Sequence, residues 1–306
     1  MALDGHNETI GSLSGIGAIF QQPGQTGLLI VGGNGDSTTF SGVIHGGGGL
    51  TKTGGGTFTL TAPNPYTGMT TVNGGKLLVF GQQPQSPVSL LTGGMLGGNG
   101  RVGNLNDLNG HVAPGASPGI LVCSNYSTFS PANLLQIEIS GPRPGSGYDQ
   151  LQVNGSVLLM GGALQVAMNF AGAISNQYVI VNNDGVDAVS GTFTGLPNGA
   201  MLTNNSTEFQ LTYYGGDGND IALIQKSVKA AVPPVITSIQ PAGPGRMLIS
   251  ATGTPNTNYS VEVTANLNPP VVWTVIGSTP SDGAGLISFL DTDANYPMRF
   301  YRLHLP

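Results

Sequence analysis

The chain has 306 residues, including 50 glycines and 21 prolines, with 8% charged residues and a formal net charge of −6. No Gly-x-y period runs through it, which excludes collagen, and its nine Lys and Arg are scattered, which disfavours a phosphate-tracking surface. The 39% apolar share comes in clusters of Val, Ile, Leu and Thr, which argues against disorder, and no segment approaches 18 apolar residues, so no membrane-spanning helix is predicted.

Residues 3–45 open with short candidate strands at 9–13, 18–20, 28–31 and 38–44, separated by Gly, Asn and Asp at turns that need positive φ. Residues 46–79 then read GGGGLTKTGGGTFTLTAPNPYTGMTTVNGGKLLV. Runs at 50–52, 57–60, 70–72 and 76–79 favour strand, and each is too short to fold alone. They gain stability only by stacking on similar runs, which is how a β-solenoid is built. GGMLGGNGRVGNL (93–105) and HVAPGASPGILVC (111–123) continue the pattern, with apolar residues inward and Gly or Asn at corners. Cys123 is the one cysteine, so no intrachain disulfide exists, and its apolar neighbours predict a buried, inert thiol.

These residues carry a resemblance. Gly49, Leu50, Lys52, Gly54, Gly56, Thr57 and Leu60 match G-L-x-K-x-G-x-G-T-L-x-L. Asn64, Tyr66, Thr67, Gly68, Thr70 and Val72 match N-x-Y-T-G-x-T-x-V, and Gly74, Gly75, Leu77 and Val79 match G-G-x-L-x-V. The stretch resembles the autotransporter-associated β-strand repeat, also called the passenger-associated transport repeat. Phe58 stands where leucine is usual and Met69 where glycine is usual. The resemblance covers roughly residues 3–225. It implies a right-handed parallel β-helix on a secreted or surface protein of bacterial type, and it implies no particular activity. Met1-Ala2 runs directly into repeat-like LDGHNETIGSLSG with no signal-peptide pattern, the expectation for a start inside a larger precursor.

Further strands are predicted at 134–139, 150–153, 156–159, 163–167 and 178–181. Residues 209–225 read as two strands around a glycine-rich turn that caps the helix. KSVKAAVPPV (226–235) is a linker. From 236 to 306 six strands recur about every ten residues, the spacing of a small β-sandwich. Tyr259–Val263, Trp273 and Arg299–Arg302 give this module a resemblance to a fibronectin type III-like domain, which implies a spacer or attachment role. The predicted fold is therefore all-β, a parallel β-helix followed by a small β-sandwich.

Catalytic patterns are sparse. Only Asp184 with Asp187, Asp217 with Asp220, and Asp291 with Asp293 form close acidic pairs, all in turns where Asp serves local backbone. The four histidines stand far apart, and no G-x-S-x-G elbow occurs. Gly215–Asp220 resembles a single calcium nonapeptide, with Asp217, Asn219 and Asp220 as weak calcium ligands. The aspartate is followed directly by Ile221, out of phase with that repeat, and a hairpin turn reads better. Aromatic side chains are the remaining lever, since a sugar face stacks on them. Tyr126, Tyr178, Tyr213, Tyr214 and Trp273 are the candidate ligand-binding residues, with Tyr213 and Tyr214 expected on opposite faces of one strand. Tyr66 and Tyr148 occupy positions the repeat itself favours and are expected to be structural, and Trp273 is expected in the sandwich core.

The leading functional expectation is a non-catalytic extracellular carbohydrate-binding module. It would recognise an extended neutral polysaccharide, of xylan or β-glucan type, on the lateral face of the helix, with no required cofactor. The alternative is a surface adhesin or structural fibre segment of an autotransporter-like protein. A β-helix polysaccharide lyase or glycoside hydrolase is the second alternative. Any site is expected on outward positions of 134–181 or on the 209–225 cap.

Overall fold

A computed structural model describes residues 1–306 except 22, 23, 171, 205, 206, 229–232, 255, 256, 283, 295–297, 305 and 306. The chain divides into Met1–Val228 and Lys229–Pro306.

The first unit is a parallel β-helix. Leu50, Thr70, Val88, Leu105, Tyr126 and Val157 stack in one column, each on the next coil. A coil thus takes about 20 residues at the start and about 30 near the end, where loops lengthen. One nine-stranded sheet runs from Glu8–Ile10 to Ser190–Thr192, and one seven-stranded sheet from Thr38–Phe40 to Ala163–Met168. The third face is two-stranded at first, with Ala18–Phe20 on Val43–His45. An eight-stranded sheet that begins at Gln82–Gln83 takes it over. Within strands burial alternates, so Lys52, Val72 and Leu90 fill one inward column while Leu77, Leu96, Val112 and Leu135 fill another. Cys123 lies in this core, and burial pushes its thiol far up.

The repeat residues explain how coils lock. Pro63 and Pro65 cannot donate, so residues 62–67 form no strand on the third face. Asn64 substitutes for one: its Oδ1 accepts the Ile44 N–H at 2.9 Å, and its own N–H donates to Gln82 at 2.8 Å. Asn64 thereby splices the two-stranded and eight-stranded parts of the face, through its side chain on one side and its backbone on the other. Tyr66 is fully buried, and its hydroxyl meets Thr70, whose Oγ1 lies 2.7 Å from Ser86 Oγ. Burial pushes the Tyr66 phenol up to about 12. Lys52 is also fully buried. Its Nζ donates to the carbonyls of Thr53 (2.6 Å), Gly54 (2.9 Å) and Gly74 (3.3 Å), tying the corners of two consecutive coils.

The end of the helix is closed by antiparallel pairing. Asp220–Val228 pairs with both Gln177–Asn183 and Thr207–Gly215, and Met201–Asn204 completes the hairpin. The expected helix end at 225 moves to Val228, because Thr207 is still in register with Val228. The expected linker 226–235 shrinks accordingly, since a strand resumes at Val235; its residues 229–232 lie outside the described residues. The strand expected over 38–44 is broken into Thr38–Phe40 and Val43–His45. Gly42 sits at the break, where a Cβ would lie 2.2 Å from the Gly17 carbonyl.

On the seven-stranded sheet the last strand, Ala163–Met168, pairs with one strand only among the described residues. Asn204 clamps its other edge: Oδ1 accepts the Met168 N–H at 2.8 Å and Nδ2 donates to the Val166 carbonyl at 2.6 Å. One amide thus occupies the backbone groups that would template another strand. Asn204→Ala is expected to destabilise the cap by about 1–2 kcal/mol and to produce sedimenting assemblies at concentrations where the parent chain is monomeric. Analytical ultracentrifugation of both proteins tests this, and an unchanged sedimentation profile would refute the clamp.

The second unit holds two three-stranded antiparallel sheets. One is ordered Val235–Pro241, Met247–Thr252, Leu286–Asp291, and the other Thr274–Pro280, Asn258–Thr264, Phe300–His304. Ile249, Ala251, Tyr259, Val261, Ile287 and Leu303 form its core. This is the small β-sandwich that the strand spacing predicts. The expected closing residues Leu305 and Pro306 lie outside the described residues.

Candidate functional site

A hollow of about 560 Å³ lies on the outer face of the seven-stranded sheet. Its origin is one outward column. Leu78 is followed on the next coils by Gly97 and Ala113, and further on by Gln136 and Gln165. Two small residues in succession leave a trough, and the loop at Pro114–Ser117 forms its wall. The Gln136 amide donates to Gln165 Oε1 at 2.9 Å along the column, and Lys76 and Asn169 line the ends.

Two carboxylates stand in this groove. Glu138 accepts from the hydroxyls of Ser117 and of Ser140, the latter at 2.8 Å; these bonds, Ser117 first, hold its pKa below the usual value. Asp149 is buried, which pushes it up to about 6. Its Oδ1 accepts the Gly119 N–H at 2.8 Å and its Oδ2 the Glu138 N–H at 2.9 Å. Opposite shifts on neighbouring acids can mark an acid and a base. Here all four oxygens already accept bonds from the chain, so the pair is built to clamp the 117–119 loop against residue 138. Sequence reading missed this pair. The two acids are separated by the 140–148 excursion, and only the outward position of Glu138 in the alternating LLQIEI run signalled it.

The predicted ligand-binding tyrosines are mostly core residues, a correction to the sequence expectation. Tyr126 and Tyr178 are buried, so neither offers a ring face to a ligand. Tyr178 packs edge-on against Tyr148 at 5.5 Å and Phe209 at 6.2 Å, and its hydroxyl donates to Gln225. Tyr213 is buried too: its hydroxyl donates to the Leu196 carbonyl at 2.8 Å and accepts the Phe193 N–H at 2.9 Å. Tyr214, on the opposite face of the same strand, is 67% exposed. Tyr66 and Tyr148 are buried, as their repeat positions predict. Trp273 is half-buried and stands outside the sandwich core, against expectation. The Arg302 guanidinium covers its ring at 4.5 Å and is held by Glu262, which leaves one face occupied.

The calcium candidates do not converge. Asp217 is exposed, while Asp220 Oδ1 accepts the Asn183 N–H at 2.8 Å. Asn219 donates its amide N–H₂ to the Asp187 carbonyl at 2.9 Å, and its Oδ1 is sealed in the interior while Asp217 is exposed. No group of three or more His, Cys, Asp or Glu able to hold a metal occurs among the described residues. The run is the hairpin turn between Thr207–Gly215 and Asp220–Val228.

Fold and groove define a parallel β-helical scaffold with an outward trough and no assembled reaction centre among the described residues. The family model described as Passenger-associated-transport-repeat matches residues 50–79. Over 193 residues, 57% of this chain, it is 32% identical to the Adhesin BmaC autotransporter of Brucella suis biovar 1 (strain 1330), covering 5% of that protein. Over 196 residues, 60% of this chain, it is 29% identical to the Extracellular serine protease of Serratia marcescens, covering 17% of that protein. The chain therefore spans only a small part of either relative's length.

Proposed function

We propose that this chain is a non-catalytic, adhesin-type passenger segment of an autotransporter-like protein, located outside the bacterial cell or on its surface. The transport repeat at 50–79, built into the coils by Lys52, Asn64 and Tyr66, carries this reading. The likeness to an autotransporter adhesin supports it. So does a helix in which stacked ladders, rather than ion pairs, hold the coils: the ion pairs among the described residues all lie in the second unit. The second unit, with its two three-stranded sheets, fits a fibronectin type III-like spacer or attachment module. Display of residues 1–306 on a non-adherent bacterium tests the reading. Attachment to animal cells should rise well above that of the undisplayed strain, and no rise would sink it.

A second reading has its own observation. The trough lined by Gln136, Gln165 and Asn169 offers amides, each both donor and acceptor, which suit the hydroxyls of a neutral polysaccharide. Affinity electrophoresis through xylan, β-glucan, mannan and pectin should show retardation that a Gln136→Ala/Gln165→Ala variant loses. Equal mobility in all four gels would remove the glycan reading and leave the adhesin reading standing.

A further inference from the structure

We infer that a second hollow, on the eight-stranded sheet, is a binding site for a single acidic sugar residue of the hexuronic acid class. It is independent of the trough on the seven-stranded sheet and does not rest on the neutral-glycan reading.

The hollow follows from another outward column. Gln82, Arg101, Val122 and Gln152 lie on successive coils in register, each opposite to buried neighbours such as Val102, Leu121, Cys123 and Val153. Val122 is short, so a space of about 340 Å³ opens between Arg101 and Gln152. Adjacent strands are about 4.8 Å apart, so these two side chains start roughly 10 Å from each other. That span accommodates one pyranose ring with its carboxyl group. Gly100 borders the space; a Cβ there would lie 2.2 Å from the Gly81 carbonyl, so bare backbone is required.

Arg101 is what points to a carboxylate. Its guanidinium makes no ion pair or hydrogen bond with any described residue, and its Nε–H is sealed from solvent without an acceptor. Arg299 and Arg302 of the second unit, by contrast, face Asp291 and Glu262. Arg101 lines the hollow with no counter-charge from the chain, and a ligand carboxylate can meet a guanidinium fork through two parallel bonds. No acidic residue lines the hollow to compete.

The other lining residues point to a sugar. The Phe80 ring is 38% exposed at the rim and supplies a flat apolar surface for the C–H face of a pyranose. Gln82, Asn99, Gln152 and Asn154 each bring an amide with donor and acceptor ends, the combination that vicinal hydroxyls use. One arginine in a chain of net charge −6 suits one carboxylate and not a dense polyanion.

Titration of the full chain with methyl β-D-glucuronide, methyl β-D-glucoside and acetate, followed by ligand-observed NMR, tests the site. The glucuronide should bind at least about tenfold more tightly than either of the others. Arg101→Gln should reduce it to the level of the glucoside, Arg101→Lys should fall between, and Phe80→Ala should weaken it several-fold. Thermal unfolding of each variant should match the parent, which confirms that the fold persists. Absence of glucuronide binding, equal binding of the glucoside, equal binding of acetate, or undiminished binding by Arg101→Gln would each overturn the inference.

Discussion

Replacing Lys52 with methionine is expected to destabilise the β-helix by about 3–5 kcal/mol. Methionine keeps most of the apolar stem but withdraws the donor from the carbonyls of Thr53, Gly54 and Gly74 at a fully buried corner. Burial pulls the Lys52 pKa down, and the three carbonyls oppose that by binding the ammonium form. The corner has no room for rearrangement. A Cβ on Gly75 would lie 2.8 Å from Lys52 Nζ and 2.4 Å from the carbonyl oxygens of Gly54 and Gly56. Gly75 and Gly54 also have φ of 63° and 68°, where L-residues are strained. Guanidinium unfolding followed by far-UV circular dichroism measures the loss; a change under about 0.5 kcal/mol would show that the ammonium is dispensable.

Asp107→Asn should do the opposite and stabilise the chain above neutral pH. Asp107 is fully buried in the core, and burial pushes it up to about 7 from 3.8. Its Oδ1 accepts the Gly110 N–H and the Asn133 amide, both at 2.8 Å, while Oδ2 has no partner. The folded state therefore holds this proton more firmly than the unfolded state. Stability from this group is greatest below pH 4, falls as pH rises from about 4 to 7, and is lowest above 7. Asparagine keeps the Oδ1 bonds and removes the charge. The expected gain at pH 8 is about 2–4 kcal/mol, vanishing near pH 4. Melting temperatures of both proteins from pH 4 to 8 decide the matter, since parallel curves would rule the mechanism out. Asp149, raised to about 6, leaves a residual slope in the same direction. The same substitution at Asp149 should destabilise, because both of its oxygens already accept backbone N–H groups.

The coils were legible because strand periodicity is local. Leu134–Ile139 and Gln150–Val153 alternate cleanly, and the structure places both strands where the alternation predicts. Side-chain facing was less legible where residues are amphipathic. In Tyr126–Thr128 either register is chemically plausible, and a one-residue slip exchanges the faces. The structure turns Tyr126 and Thr128 inward together, which removes Tyr126 from the surface.

Composition and pattern alone determined the all-β class, the stacked coils, the buried cysteine and the change to a sandwich after residue 235, because each depends on neighbours in sequence. Only the tertiary structure decided where the hollows lie and what faces them. A trough such as that beside Gln136, or the hollow beside Arg101, is a column across several coils. Its depth depends on which residue each coil places in register, and that is set by loop lengths summed around the helix and not by any one stretch of chain.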